Sequence, residues 1–178
     1  MKELAIELAL EQFCAPYYVH KDSMHTLDHC KRILKIARKL AKGKNADGTL
    51  LIYGCFFHGF VMSDEPAIRR WFSRRTDAAY ADRAVACAMA SHKNAQARTV
   101  EEQILHDAHL LEGGTAYLLV KSLITGVERG QTLDQTLTYL EKNILGKHRC
   151  YLPQAQKEYG KMEQFAKASV KSLRKCLS

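Results

Sequence analysis

The fold class this sequence predicts is all-α: one helical bundle, a single domain over residues 1–178. Apolar residues recur at three- and four-residue steps through most of the chain, the period of helices that bury one face. Helix breakers are scarce, with 3 Pro and 10 Gly in 178 residues, and that length suffices for one substantial core. No stretch alternates apolar and polar residues as a half-buried strand would.

Residues 2–13 read as the first helix. Leu27, Cys30, Ile33, Leu34, Ala37, Leu40 and Ala41 form one stripe of a second, which Gly43 ends. The run 50–62 is apolar nearly all round and predicts the buried central helix. Ser63 caps a short helix that takes Pro66 in its first turn and runs through Ile68 to Phe72. Thr76 or Asp77 starts the next, which reaches Ser91. Thr99 with Glu102 makes a capping box, two side chains satisfying each other's free backbone donors, and that helix stops at Gly113 and Gly114. Thr132 with Gln135 repeats the device. The last helix follows Pro153 and passes through Tyr159, Met162, Phe165 and Val170. Lys171, Arg174 and Lys175 at its end suit the negative pole of the helix dipole.

Composition excludes several function classes. No apolar run approaches the roughly 18 residues of a membrane span, and the opening Met1-Lys2-Glu3-Leu4 has no signal-like apolar core, so the expected location is the cytoplasm. Six cysteines without a C-x-x-C pair read as reduced, packed thiols. The 27 Lys+Arg against 19 Asp+Glu leave a net charge of +8, which favours anionic ligands at long range. Small phosphorylated molecules rank above nucleic acid, because no basic stretch is interleaved with aromatic residues. The oligomeric state, a homodimer included, is left open.

Chemistry points to the eight histidines. His25 and His29 flank the start of the second helix, His58 sits in the central one, His92 ends the fifth, and His106 and His109 share the sixth with Asp107. His58 is the most informative. An imidazole among Phe56, Phe57, Phe60 and Val61 needs a partner for each ring nitrogen, and a backbone carbonyl or a metal ion would serve. His20 and His148 read as surface residues, and His25 as the reserve ligand. Helical spacing alone sets Asp107 and His109 at opposite edges of the stripe centred on Ile104 and Ala108, and leaves open which of them faces a site.

In order and spacing, four stretches resemble the HD superfamily of metal-dependent phosphohydrolases. Met24-His25-Thr26-Leu27-Asp28-His29-Cys30-Lys31-Arg32-Ile33 is similar to the family's opening H-x-x-x-H-x-x-R-V element. Tyr53-Gly54-Cys55-Phe56-Phe57-His58-Gly59 resembles its A-A-L-L-H-D helix. Ala90-Ser91-His92 resembles a helix end that often holds an auxiliary histidine. Ile104-Leu105-His106-Asp107-Ala108-His109-Leu110-Leu111-Glu112 resembles V-Q-D-A-D-R-L-D. The tail from Thr138 also looks like that of small bacterial members, so the resemblance covers nearly the whole chain.

The resemblance implies a helical fold, hydrolysis of a nucleotide or related phosphate ester, and His29, His58 and His109 as metal ligands. Two positions depart from the pattern: Gly59 stands where the family has its bridging aspartate, and His109 where it has a ligating one. Glycine offers neither ligand nor charge, so one metal ion rather than two is expected. Imidazole in place of carboxylate moves the preference toward Zn, Ni or Fe, with Mn retained from the family. The expected catalytic residues are Asp107, as general base or orienting carboxylate, and Glu65. Lys93, Arg69, Arg70 and His92 are the expected substrate contacts, with Lys31 and Arg32 also near the first ligand.

Overall fold

Nine helices and no strand make up the described residues, 2–92 and 95–177, of the computed structural model. They are α1 (Lys2–Tyr18), α2 (Leu27–Ala41), α3 (Gly48–Phe57), α4 (Glu65–Phe72), α5 (Ala78–Met89), α6 (Val100–Leu110), α7 (Tyr117–Glu128), α8 (Leu133–Asn143) and α9 (Pro153–Leu177). None of them is long and apolar enough to cross a membrane.

The centre is α3, where every residue from Leu50 to Phe57 is buried. A helix apolar on all sides must be enclosed by others, and α1, α2, α5 and α6 pack around this one. Gly54 allows that closeness: a Cβ there would lie 2.7 Å from Cys87 Sγ and 2.9 Å from Leu105 Cδ2. On α2, the predicted stripe faces inward and carries His29 with it. A second, smaller core joins α7, α8 and the later turns of α9 through Leu119, Leu137, Leu140, Leu145, Ala166 and Val170. Five of the six cysteines are buried and all are unpaired.

Several boundaries differ from the sequence reading. Helix α1 runs past residue 13 to Tyr18 with Pro16 inside it, because Cys14 and Tyr18 bury against the core. Helix α3 ends at Phe57 rather than at 62. His58 is its C-cap, and the chain then turns, with Val61 N–H donating to Phe57 O. Asp64, not Ser63, caps α4 by accepting from Ala67 N at 3.0 Å. Helices α5 and α6 end at Met89 and Leu110, ahead of the expected stops. Thr132 and Gln135 close a full capping box. The Thr99 box closes only half as expected: Thr99 accepts from Glu102 N, but Glu102 reaches back to Arg98 N at 2.7 Å. Helix α7 has no sequence-level start signal. Its N-cap is Ala116, without a side-chain hydrogen bond, and its apolar residues do not confine themselves to one face.

Candidate metal centre

Three imidazoles from three helix ends meet at one point. His29 comes from the first turn of α2, His58 from the C-cap of α3 and His109 from the last turn of α6. One ring nitrogen from each lies within 4.8 Å of the other two. His29 and His58 are almost fully buried, while His109 is half-buried and lines an open cleft.

The outer nitrogens decide which atoms face the centre. His58 Nδ1 lies 2.7 Å from Cys55 O, and a carbonyl only accepts, so Nδ1 carries the proton and Nε2 keeps its lone pair. His29 Nδ1 lies 2.8 Å from Glu112 Oε2, close though not aligned as an ideal hydrogen bond. A carboxylate also only accepts, so the His29 proton belongs on Nδ1 as well. The two Nε2 atoms face one another at 3.0 Å. With both protons turned outward, two lone pairs converge, and a cation would relieve that conflict. The distance is near the roughly 3.3 Å that two imidazole nitrogens adopt on a tetrahedral zinc ion.

Protonation is a poor alternative. Burial holds His29 at about 4 against the opposing pull of Glu112, and burial with the neighbouring His29 holds His58 at about 3. His109 is held well below its ordinary value by burial and then by His58 and His29. Three neutral imidazoles with a fourth side open to the cleft suit a divalent transition ion that keeps one position for an exchangeable ligand.

Glu112, just beyond α6, joins this centre to its surroundings. Besides His29, it accepts from Arg32 Nε at 2.8 Å, Lys121 Nζ at 2.7 Å and Tyr117 Oη at 3.2 Å. Burial alone would raise its pKa, but the His29 ring nitrogen and the Lys121 charge outweigh burial and hold it at about 2. One carboxylate thus orients one of the three imidazoles and ties α2 and α7 to the end of α6.

Gly59 is closed to any side chain. Tyr18 Oη donates to Phe56 O at 2.8 Å and accepts from Gly59 N at 3.1 Å. A Cβ on Gly59 would lie 2.4 Å from that oxygen. The phenol of α1 fills the place where an aspartate would begin and clamps the turn that presents His58.

The structure places His109, and not Asp107, with the other two imidazoles. Asp107 is fully buried on the far face of α6, where it accepts from Tyr151 N at 2.9 Å, Leu152 N at 2.7 Å and His106 Nδ1 at 3.0 Å. Its oxygens hold the lead into α9 and do not face the centre. Glu65 and Arg69 pair at 2.7 Å on α4 and, with Arg70, line a separate shallow depression rather than the cleft. His92 does line the cleft, and its Nε2 lies 3.2 Å from His58 O. Lys93 lies outside the described residues. Of the histidines read as surface or reserve, His25 and His148 both line the cleft, and His20 is exposed. His25 Nδ1 is 2.5 Å from Asp22 Oδ1, which leaves its Nε2 free of a proton.

The cleft has a volume of 590 Å³, within the range of small-molecule sites. Across from His109, α7 lines it with Tyr117, Lys121 and Thr125 and its C-cap with Arg129, and α8 and α9 add Tyr139, Tyr159 and Met162. Sequence reasoning missed Lys121 and Arg129 because it assigned no helix there. Glu112 was legible only as the last acidic position of the fourth motif.

No family model matches this chain, and no curated protein does. Solved structures do. The Lin1889 protein from Listeria innocua is 17% identical over 99% of this chain and 98% of its own, with a TM-score of 0.73. A structural-genomics protein from Lactobacillus plantarum is 15% identical over 96% and 95%, with a TM-score of 0.79. YpgQ from Bacillus subtilis, in its complex with ADP, is 14% identical over 98% and 96%, with a TM-score of 0.75. At these identities the likeness establishes a shared all-α fold over the full length of the chains.

Proposed function

We propose that this chain is an HD-type, mononuclear metal-dependent phosphohydrolase acting on a nucleotide or a related phosphate ester. One observation carries the reading: two outward-protonated imidazoles set their Nε2 lone pairs 3.0 Å apart, with His109 completing a three-nitrogen centre at the wall of a cleft. The ADP held by the similarly folded YpgQ supports a nucleotide as the ligand class. A divalent ion bound by His29, His58 and His109 would supply an acidified water and a polarised phosphoryl oxygen.

The chain's own groups do the rest. Lys121 and Arg129 stand along one face of α7, eight residues apart or about 12 Å, a reach suited to a phosphate chain. His25, held by Asp22 with a free Nε2, lines the same cleft and its ring is 5.2 Å from that of His29, so it is placed to take a proton from an attacking water. The bulky wall of Tyr139, Tyr159 and Met162 suits the less polar end of the ligand. Release of phosphate or nucleoside from a nucleotide panel, abolished by chelator and by His58→Ala, is the expected result. No turnover of any nucleotide by metal-loaded protein would defeat the hydrolytic reading.

A binding protein on the same scaffold is the second reading, and one observation favours it. Glu112 is the sole carboxylate among the described residues lining the cleft, and it is already committed to His29, Arg32, Lys121 and Tyr117. On this reading ADP at 100 times its Kd raises stability by about 2.7 kcal/mol without turnover.

A further inference from the structure

Helix α2 has two charged faces with different fates. On one, Lys31 pairs with Glu11 at 3.0 Å, and Arg38 pairs with Glu3 at 3.0 Å and Glu7 at 2.5 Å, all from α1. On the other, Arg32, Lys35 and Lys39, followed by Lys42 at the C-cap, succeed one another at steps of three and four residues, and only Arg32 has an acidic partner among the described residues. Some cations elsewhere are neutralised, Arg69 by Glu65 and Asp82 and Arg174 by Asp134 and Glu141.

The three lysines line a groove of 830 Å³, with Lys157 of α9 also on its rim. All four are exposed and have no acidic partner among the described residues. The one acid on the groove, Glu158, is taken by Lys161 at 3.5 Å. Ile36, Leu40, Leu111 and Met162 make part of its floor. Unneutralised like charges repel one another unless an anion joins them, and this arrangement spreads them over about 10 Å from Lys35 to Lys42.

We propose that this groove is a second anion site, distinct from the histidine cleft, which takes a chain of several phosphates. The lining includes no aromatic side chain and so offers no platform for a base. The phosphate chain itself is therefore the recognised chemistry, whether it comes free or as the tail of a nucleotide. The groove also touches the metal centre through one residue: Arg32 lines it and donates to Glu112, whose other oxygen faces His29.

Tripolyphosphate titrated calorimetrically into the full chain at physiological ionic strength tests the site. Wild type and His109→Ala are expected to bind alike, and Lys35→Ala/Lys39→Ala/Lys42→Ala to bind about tenfold or more weakly with an unchanged melting temperature. Unaltered affinity in the triple variant, loss of binding in His109→Ala, or no binding by wild type would each overturn the proposal. ATP measured on His109→Ala, as the share of binding that Lys35→Ala/Lys39→Ala/Lys42→Ala removes from it, separates the two sources: a groove affinity equal to that for tripolyphosphate supports recognition of the bare chain, and one more than tenfold tighter overturns it. None of these outcomes depends on hydrolysis, so the groove and the activity proposed for the cleft stand or fall separately.

Discussion

The wall of the cleft that carries the three imidazoles and the wall across from it differ in how much protein stands behind them. His29, His58 and His109 rise from α2, α3 and α6, backed by a core in which Leu10, Ile33, Ile52, Phe56, Ile68 and Ile104 are wholly buried. The facing wall of α7, α8 and the later part of α9 rests on six buried residues, and it leaves Val120, Ile124, Val127 and Leu133 between 36% and 73% exposed. Groups that hold a metal need fixed positions, whereas a wall that admits and releases a ligand opens at lower free energy. Glu112 joins the two walls.

Four perturbations sharpen or break this comparison. Asp107→Ala has the largest expected effect. It leaves the buried Leu152 N–H and the part-buried Tyr151 N–H without their acceptor, at up to about 1–3 kcal/mol each, and should lower the melting temperature by roughly 10 °C while the folded protein keeps its metal. Metal loss by folded Asp107→Ala would return this carboxylate to the centre. Leu137→Ala, in the smaller core, should cost about 2–5 kcal/mol. Hydrogen exchange should then speed in α7 and α8 before α3, and equal acceleration in both regions would make the two walls one unit.

Gly59→Ala forces the Tyr18 phenol from its two hydrogen bonds, for about 1–3 kcal/mol, and should weaken metal binding through His58. Tyr18→Gly added to Gly59→Ala should recover part of the metal affinity; no recovery would locate the fault elsewhere. Acid perturbs the same imidazoles without a substitution, and its effect grows as the pH falls. His29 at about 4 and His58 at about 3 sit below the ordinary 6.5, so the unfolded chain binds protons that the folded chain refuses. Denaturant midpoints should hold above about pH 6.5 and fall between there and pH 4. A flat profile across that window would mean the imidazoles are not buried neutral.

The parts of this architecture with a local cause were legible in the sequence. The α2 stripe, the Thr132 capping box and the apolar run around His58 each lie within a few residues, and the structure contains all three. The face of α6 was not legible, because Asp107 and His109 are equivalent by spacing; backbone donors 44 and 45 residues away claim the carboxylate. Helix α7 escaped for want of a cap and a single apolar face, and Lys121 and Arg129 escaped with it. Glu65, Arg69 and Arg70 looked like a pocket rim by proximity in sequence, but α4 turns them to a different part of the surface. Tyr18 gave no signal at all, since its role exists only once α1 lies against the end of α3.

Metal content of the protein purified without chelator, set beside that of a His29→Ala/His58→Ala double variant, tests the central claim most directly. The account predicts about one divalent transition ion per chain in the wild type and none in the variant. A wild type that holds no metal even after reconstitution, or a variant that keeps its ion, would contradict it.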